Sequence, residues 1–213
     1  MRIKFMVAIL SAWLVLPVSA VAQPEEPRTV EIRIEVLIQT EMGDITLALY
    51  PERAPGTVAN FMAYVDGGYY TGGAFYRVVR HDNDNGSPKI TVIQGGANLA
   101  EGEEPFPPVK LERTNETGIS HMDGVISMAR GEPDSATHAI FIVIGNNQAL
   151  DYGESRNPDL QGFAAFGIVT SGMDVVRAIN ALTLTREDED AYVAGQILVV
   201  PVIILNVRRI ERE

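Results

Sequence analysis

From Val30 onward the chain never settles into an alternation of single strands with single helices, and this constrains its fold more than any other feature. Parallel neighbours need a helix-length crossover between them, so strands without that rhythm have to pair antiparallel. The apolar residues fall in short runs broken by turn formers. "VEIRIEVLIQT" (30–40) alternates Val30, Ile32, Ile34 and Val36 with Glu31, Arg33 and Glu35, the period of a half-buried strand. The turn Glu41-Met42-Gly43-Asp44 leads into "ITLALY" (45–50). Further short runs stand at 75–79, 90–94, 124–129, 139–145 and 162–169. "GQILVVPVIILNVRRIE" closes the chain as a long strand with Pro201 at a bend or edge.

Two stretches show helical spacing. Thr57 is placed to cap the first, whose apolar positions are Val58, Phe61, Met62 and Val65, and Gly67-Gly68 ends it. The second covers 172–181, with Met173, Val176 and Ile179 on its apolar face. "HDNDNGSP" (81–88) is rich in turn formers and predicts a surface hairpin tip. The stretch 97–118, with Pro105, Pro107 and Pro108, predicts an ordered loop. The sum is a mainly β chain, a closed antiparallel barrel with two helices at its ends, in one domain over 30–213 without repeat or linker.

The first 22 residues do not share that pattern. Arg2 and Lys4 precede an apolar run, 5–18, interrupted only by Ser11 and Pro17, and Ala20-Val21-Ala22 offers an A-x-A cleavage site before Gln23. This predicts a secretory signal peptide over 1–22. The run is shorter than the about 20 residues a membrane span needs, which favours cleavage over a retained anchor. Residues 23–29 are polar and proline-rich and predict a flexible leader.

Of 17 basic residues, the signal carries Arg2 and Lys4; the remaining 15 face 28 acidic residues, a net charge of −13. Such a surface repels a phosphate backbone, so nucleic acid is not an expected partner. There is no cysteine, so stability has to come from the core. An A-x-A signal without disulfides points to a periplasmic or secreted protein, with no membrane insertion once the signal is cut. A monomer is the expectation for one compact acidic domain.

Most familiar chemistries lack parts. His81, His121 and His138 are not spaced for zinc, and no H-E-x-x-H helix is present. There is no G-x-S-x-G elbow and no cysteine nucleophile. Asp82-Asn83-Asp84-Asn85-Gly86 hints at calcium, but a loop of EF-hand type would need glutamate where Ile93 stands. Gly95-Gly96 opens no helix and so builds no phosphate loop. What remains is a reaction without nucleophile, metal or cofactor. One residue stays unexplained: Arg77, a permanent charge among Phe75, Tyr76, Val78 and Val79. Taken alone it reads as a strand arginine reaching into solvent.

The order of motifs supplies another reading. "GDITLALYPERAPGTVANFMAYVDGGYY", "FYRVV", "VIQGG", "GVISMARGEPDSATHAIFIVIG", "LD" at 150–151 and "GFAAFGIVTSGMDVVRAI" follow one another across 36–209. In this order they resemble the cyclophilin-type peptidyl-prolyl cis–trans isomerases. The resemblance implies an eight-stranded antiparallel barrel capped by two helices, and isomerisation of X–Pro bonds in proline-containing peptides and unfolded exported proteins. It implies that Arg77 is catalytic and points into a groove for the substrate proline. Gln94 matches the glutamine that binds peptide backbone beside the proline. Phe141 matches the floor of the proline pocket, Leu150, Phe163 and Val92 match further pocket positions, and Ala129 matches a backbone-binding site. His121 and His138 are expected to be structural.

The sequence also departs from the family pattern. Thr91-Val92 stand where a Phe-Met or Phe-Val pair is common, and His138-Ala139-Ile140-Phe141 where S-Q-F-F is common. Ala149 replaces a frequent tryptophan, which implies poor cyclosporin binding, and Phe163 replaces a frequent His or Tyr. The arginine is kept while the aromatic wall is thinned. A second reading therefore stands beside the first, a cyclophilin-fold peptide-binding chaperone or scaffold with little turnover.

Overall fold

The computed structural model describes residues 31–100, 102–185 and 191–211, which belong to one unit. The expected signal (1–22) and leader (23–29) lie outside the described residues. Eight strands follow in chain order: β1 (Ile34–Thr40), β2 (Gly43–Leu49), β3 (Ala74–Val79), β4 (Val92–Gly96), β5 (Val125–Met128), β6 (Ile140–Val143), β7 (Ala164–Ser171) and β8 (Ile197–Arg209). They close into a barrel in the order β1-β2-β7-β5-β6-β4-β3-β8, with every pairing antiparallel. Closure leaves no free sheet edge. Val36, Ile38, Ile45, Leu47, Phe75, Ile93, Ile126, Ile142 and Phe166 are wholly buried and fill the interior. An eight-stranded barrel packed in this way has no room for a peptide, so a binding surface has to lie on its outer wall.

Helix α1 (Pro55–Asp66) packs against β7 and β8, and α3 (Met173–Asn180) against β2, β3 and β4. The apolar positions expected of α1, Val58, Phe61, Met62 and Val65, are all buried. So are Val176 and Ile179 of α3. Among the described residues no helix is long and apolar enough to cross a membrane.

Several local expectations need correction. Helix α1 begins at Pro55, and Thr57 does not cap it. The chain offers no acceptor just before the helix, and Glu112 supplies one from elsewhere. Its carboxylate accepts the N–H of Gly56 (3.0 Å), the N–H of Thr57 (2.8 Å) and the Thr57 hydroxyl (2.6 Å). Besides the two expected helices, the 97–118 stretch contains a single helical turn, α2 (Thr114–Thr117), ended by Gly118 at φ 67°. One turn is too short to display a period. Pro201 lies inside β8, where pairing to β3 jumps from Ile197 to Val202 while β3 moves only from Arg77 to Phe75. That broken ladder accommodates a residue without an N–H.

The 81–88 segment lies at the surface, as a tip would, but one of its acids is buried. Asp84 is only 3% exposed. It binds Arg156 through both oxygens (2.8 and 2.9 Å) and also accepts the N–H groups of Gly86 and Ile90. Burial alone would push its carboxyl up, but these bonds outweigh that and hold it below the ordinary range. Asn83 binds Val78 O and Gly195 O, and Asn85 binds Tyr192 O and Ala194 O. Asn83, Asp84 and Asn85 are thus spent on the protein itself, while Asp82 stays largely in solvent.

Candidate active site

Both ladders of β3 slip between Phe75 and Arg77. A bulge of this kind re-aims the side chains that follow it. Phe75 stays in the interior, while Arg77 comes to the outer wall and is half-buried. Register then makes a row: Arg77 lies opposite Gln94, Gln94 opposite Phe141, and Phe141 opposite Ser127. Adjacent strands are about 4.8 Å apart, so positions 77, 94 and 141 share a patch about 10 Å across.

The expected site residues Arg77, Gln94, Phe141, Leu150, Phe163, Val92 and Ala129 all line one groove of about 340 Å³. Arg77 is fixed by two amides. Its Nη1 donates to Gln94 Oε1 (2.9 Å), and its Nε and Nη2 both donate to Gln196 Oε1 (2.9 and 2.6 Å). The Gln94 Nε2 donates to the Tyr76 hydroxyl (3.2 Å), which settles the orientation of that amide. The Tyr192 ring lies over the guanidinium with 5.2 Å between Cζ and ring centroid. Neither Gln196 nor Tyr192 carried a signal in the sequence.

The apolar floor is built with similar support. Phe141 and Phe163 meet edge to face, with centroids 5.3 Å apart. Leu150 ends a 3-10 turn (Gln148–Leu150), and its carbonyl accepts the Phe163 N–H (3.0 Å). Arg130 lies over the ring of Phe163 (5.2 Å) and is pinned by Asp159 (2.7 and 3.0 Å) and Gly162 O (2.8 Å). The Arg130 hydrogen bonds hold the Asp159 carboxyl below its ordinary value. The Ala129 N–H is taken by Ala139 O (2.8 Å), so that residue can offer a peptide only its carbonyl.

His121 makes its contacts with the protein's own side chains. It is fully buried behind the floor and stacks on Phe141 at 5.9 Å and 16°. Its Nδ1 meets Asp151 Oδ1 (2.6 Å) and its Nε2 meets Ser127 Oγ (3.0 Å). Burial lowers its pKa against the pull of Asp151. Burial pushes Asp151 up, but bonds from His121 and Ser120 hold it below the usual carboxylate range. His138 Nδ1 accepts the Ala97 N–H (3.0 Å). Among the described residues no three His, Asp or Glu side chains gather closely enough to hold a metal ion.

The groove's far rim was not legible in the sequence. Arg156 and Asn157 line it together with Tyr192, Val79 and Ile90. Arg156 links two segments there, through Asp84 and Pro88 O (2.8 Å) on one side and the Tyr192 hydroxyl (3.3 Å) on the other.

Residues 35–205 match the family model described as "Cyclophilin type peptidyl-prolyl cis-trans isomerase/CLD". Peptidyl-prolyl cis-trans isomerase A of Dickeya dadantii is 39% identical over 148 residues, covering 68% of this chain and 70% of that protein. Peptidyl-prolyl cis-trans isomerase B of Escherichia coli is 36% identical over 160 residues, 71% of this chain and 87% of that protein. Among solved structures, a cyclophilin-type isomerase of Cryptosporidium parvum superposes with TM-score 0.59 over 85% of this chain and all of that one. At 19% identity that likeness speaks for the fold alone. With barrel, motif order and family match in agreement, this chain belongs to the cyclophilin-type peptidyl-prolyl cis–trans isomerase family.

Proposed function

We propose that this protein accelerates rotation about X–Pro bonds, with Arg77 as the catalytic residue. Gln94, Phe141, Leu150, Phe163, Val92 and Ala129 hold the peptide. Amide resonance sets a barrier of about 18–20 kcal/mol, and the uncatalysed X–Pro exchange takes tens to hundreds of seconds. In the twisted state the proline nitrogen carries a localised lone pair. A donor aimed at that nitrogen forms a bond that neither planar ground state has, which is differential stabilisation. A charge-assisted hydrogen bond contributes about 1.5–3 kcal/mol, or roughly one to two decades in rate. The apolar floor and fixation of the flanking peptide account for the rest.

The observation that carries this reading is the state of the guanidinium. Of the five N–H groups of an arginine, three are held by Gln94 and Gln196, which among the described residues leaves two for a ligand. Both acceptors are neutral, and among the described residues no carboxylate pairs with Arg77, so its charge is not cancelled at close range.

The clients are folding exported proteins in the periplasm or outside the cell. The basic start, apolar run and A-x-A site of 1–22 support export, and the net charge of −13 after cleavage argues against nucleic acid. A monomer working without cofactor completes the reading. A protease-coupled assay on a short X-Pro peptide tests it. The native chain should turn the peptide over well above the uncatalysed rate, and Arg77→Ala should lose one to two decades. Equal rates for both, near the uncatalysed value, would leave a peptide-binding chaperone or scaffold.

A further inference from the structure

Gln196 does not line the groove, yet it makes two of the three bonds that hold Arg77. It is wholly buried, and each of its polar groups is engaged. The backbone N–H donates to Val193 O (2.9 Å), and the carbonyl accepts the Val78 N–H (2.8 Å), one residue beyond Arg77. The side-chain Nε2 donates to Asn83 O (3.1 Å), which turns Oε1 toward the guanidinium. Asn83 is itself fixed: its Oδ1 accepts the Arg80 N–H (2.6 Å) and its Nδ2 donates to Val78 O and Gly195 O (3.1 Å each). Next to it, Asp84 is strapped to Arg156. The 81–88 segment thus braces Gln196 from behind.

We propose that Gln196 is a positioning residue for the isomerase reaction, fixing the plane of the Arg77 guanidinium from the β8 side so that its free N–H groups face the groove. This rests on Arg77 being the catalytic donor. Three points define a plane, and Gln94 supplies only one of them, from the β4 side. Without Gln196 the guanidinium keeps, among the described residues, only one hydrogen bond, from Nη1 to Gln94, beside its contact with the Tyr192 ring, and can turn about that bond. A carboxylate at the same place would orient it too, but would also draw its charge; an amide oxygen orients it and leaves the charge for the substrate. Because Gln196 does not itself line the groove and reaches it only through Arg77, its contribution falls on turnover and not on peptide binding.

The test is a double-mutant cycle with Arg77→Ala, Gln196→Met and the double variant, measuring kcat and KM on an X-Pro peptide, peptide affinity and melting temperature. Gln196→Met should lower kcat by about 10- to 100-fold, the scale of a misplaced catalytic group, with peptide affinity unchanged. The double variant should be no slower than Arg77→Ala alone. If Gln196→Met keeps full turnover while Arg77→Ala is slow, the positioning role is overturned and the reading of Arg77 stands. Equal slowing by Gln196→Met in both backgrounds, or weakened peptide affinity, also overturns it. An Arg77→Ala variant as fast as the native chain removes both. Should Gln196→Met fail to fold, Gln196→Asn keeps a buried amide and withdraws the carbonyl by one methylene; the same loss of kcat is expected of it.

Discussion

Asp84→Ala should destabilise this barrel by about 3–5 kcal/mol, the cost of stranding one partner of a buried ion pair. The pair is well enclosed, with side-chain exposures of 2% for Arg156 and 0% for Asp84. Among the described residues, removing the carboxylate leaves the guanidinium hydrogen-bonded to Pro88 O and the Tyr192 hydroxyl alone, and it orphans the N–H groups of Gly86 and Ile90. For a domain of this size, that loss corresponds to a fall in Tm of about 6–20 °C. Thermal melting followed by circular dichroism measures it. Arg156→Met added to Asp84→Ala removes the stranded charge, so the double variant should be at least as stable as Asp84→Ala. The sign with pH follows from the depressed carboxyl of Asp84. Its contribution is complete above the unfolded value of about 3.9 and is lost as pH falls through the lower folded value. The gap between native chain and Asp84→Asn should therefore close in strong acid. A loss below about 1 kcal/mol at pH 7 for Asp84→Ala, the range of exposed pairs, would refute the reasoning. So would strictly additive losses in the double variant.

Glu112→Ala removes the acceptor for the first turn of α1 and should cost about 1–2 kcal/mol, read by urea melts, with peptide turnover unchanged because Glu112 is not among the residues that line the groove. A change in turnover without loss of stability would contradict that division. His121 has a lowered pKa and faces Asp151, whose carboxyl stays ionised, and Ser127. The native chain should then lose stability as pH falls below about 6.5, the unfolded histidine value, because the unfolded chain takes the proton first. His121→Gln, less stable at neutral pH, should lose less over the same interval; parallel curves for the two would exclude His121 as the source.

Local pattern and motif order made much of this protein legible. Alternation through Ile34 and Val36, the helical spacing of Val58, Phe61, Met62 and Val65, and the breaks at glycine and proline report which way side chains face, because strand and helix periods are set by backbone geometry alone, whereas Ile32, expected on the buried side, lies ahead of β1 and is 57% exposed. The groove residues were legible for another reason. Arg77, Gln94, Phe141, Leu150 and Phe163 sit in motifs whose order matches the family, and the register of β3, β4 and β6 brings the first three into one row. What stayed hidden is the support behind them. Gln196 meets Arg77 across 119 residues, Arg156 meets Asp84 across 72, and Glu112 reaches Thr57 across 55. A period of two or of 3.6 residues says that a side chain is buried, not what it is buried against. Partner choice depends on how the barrel closes, on the slip in β3 that turns Arg77 outward, and on the broken ladder at Pro201 that carries β8 past it. The chain's own letters determined strands, helices and a groove built on Arg77; only closure of the barrel decided which amides hold that guanidinium still.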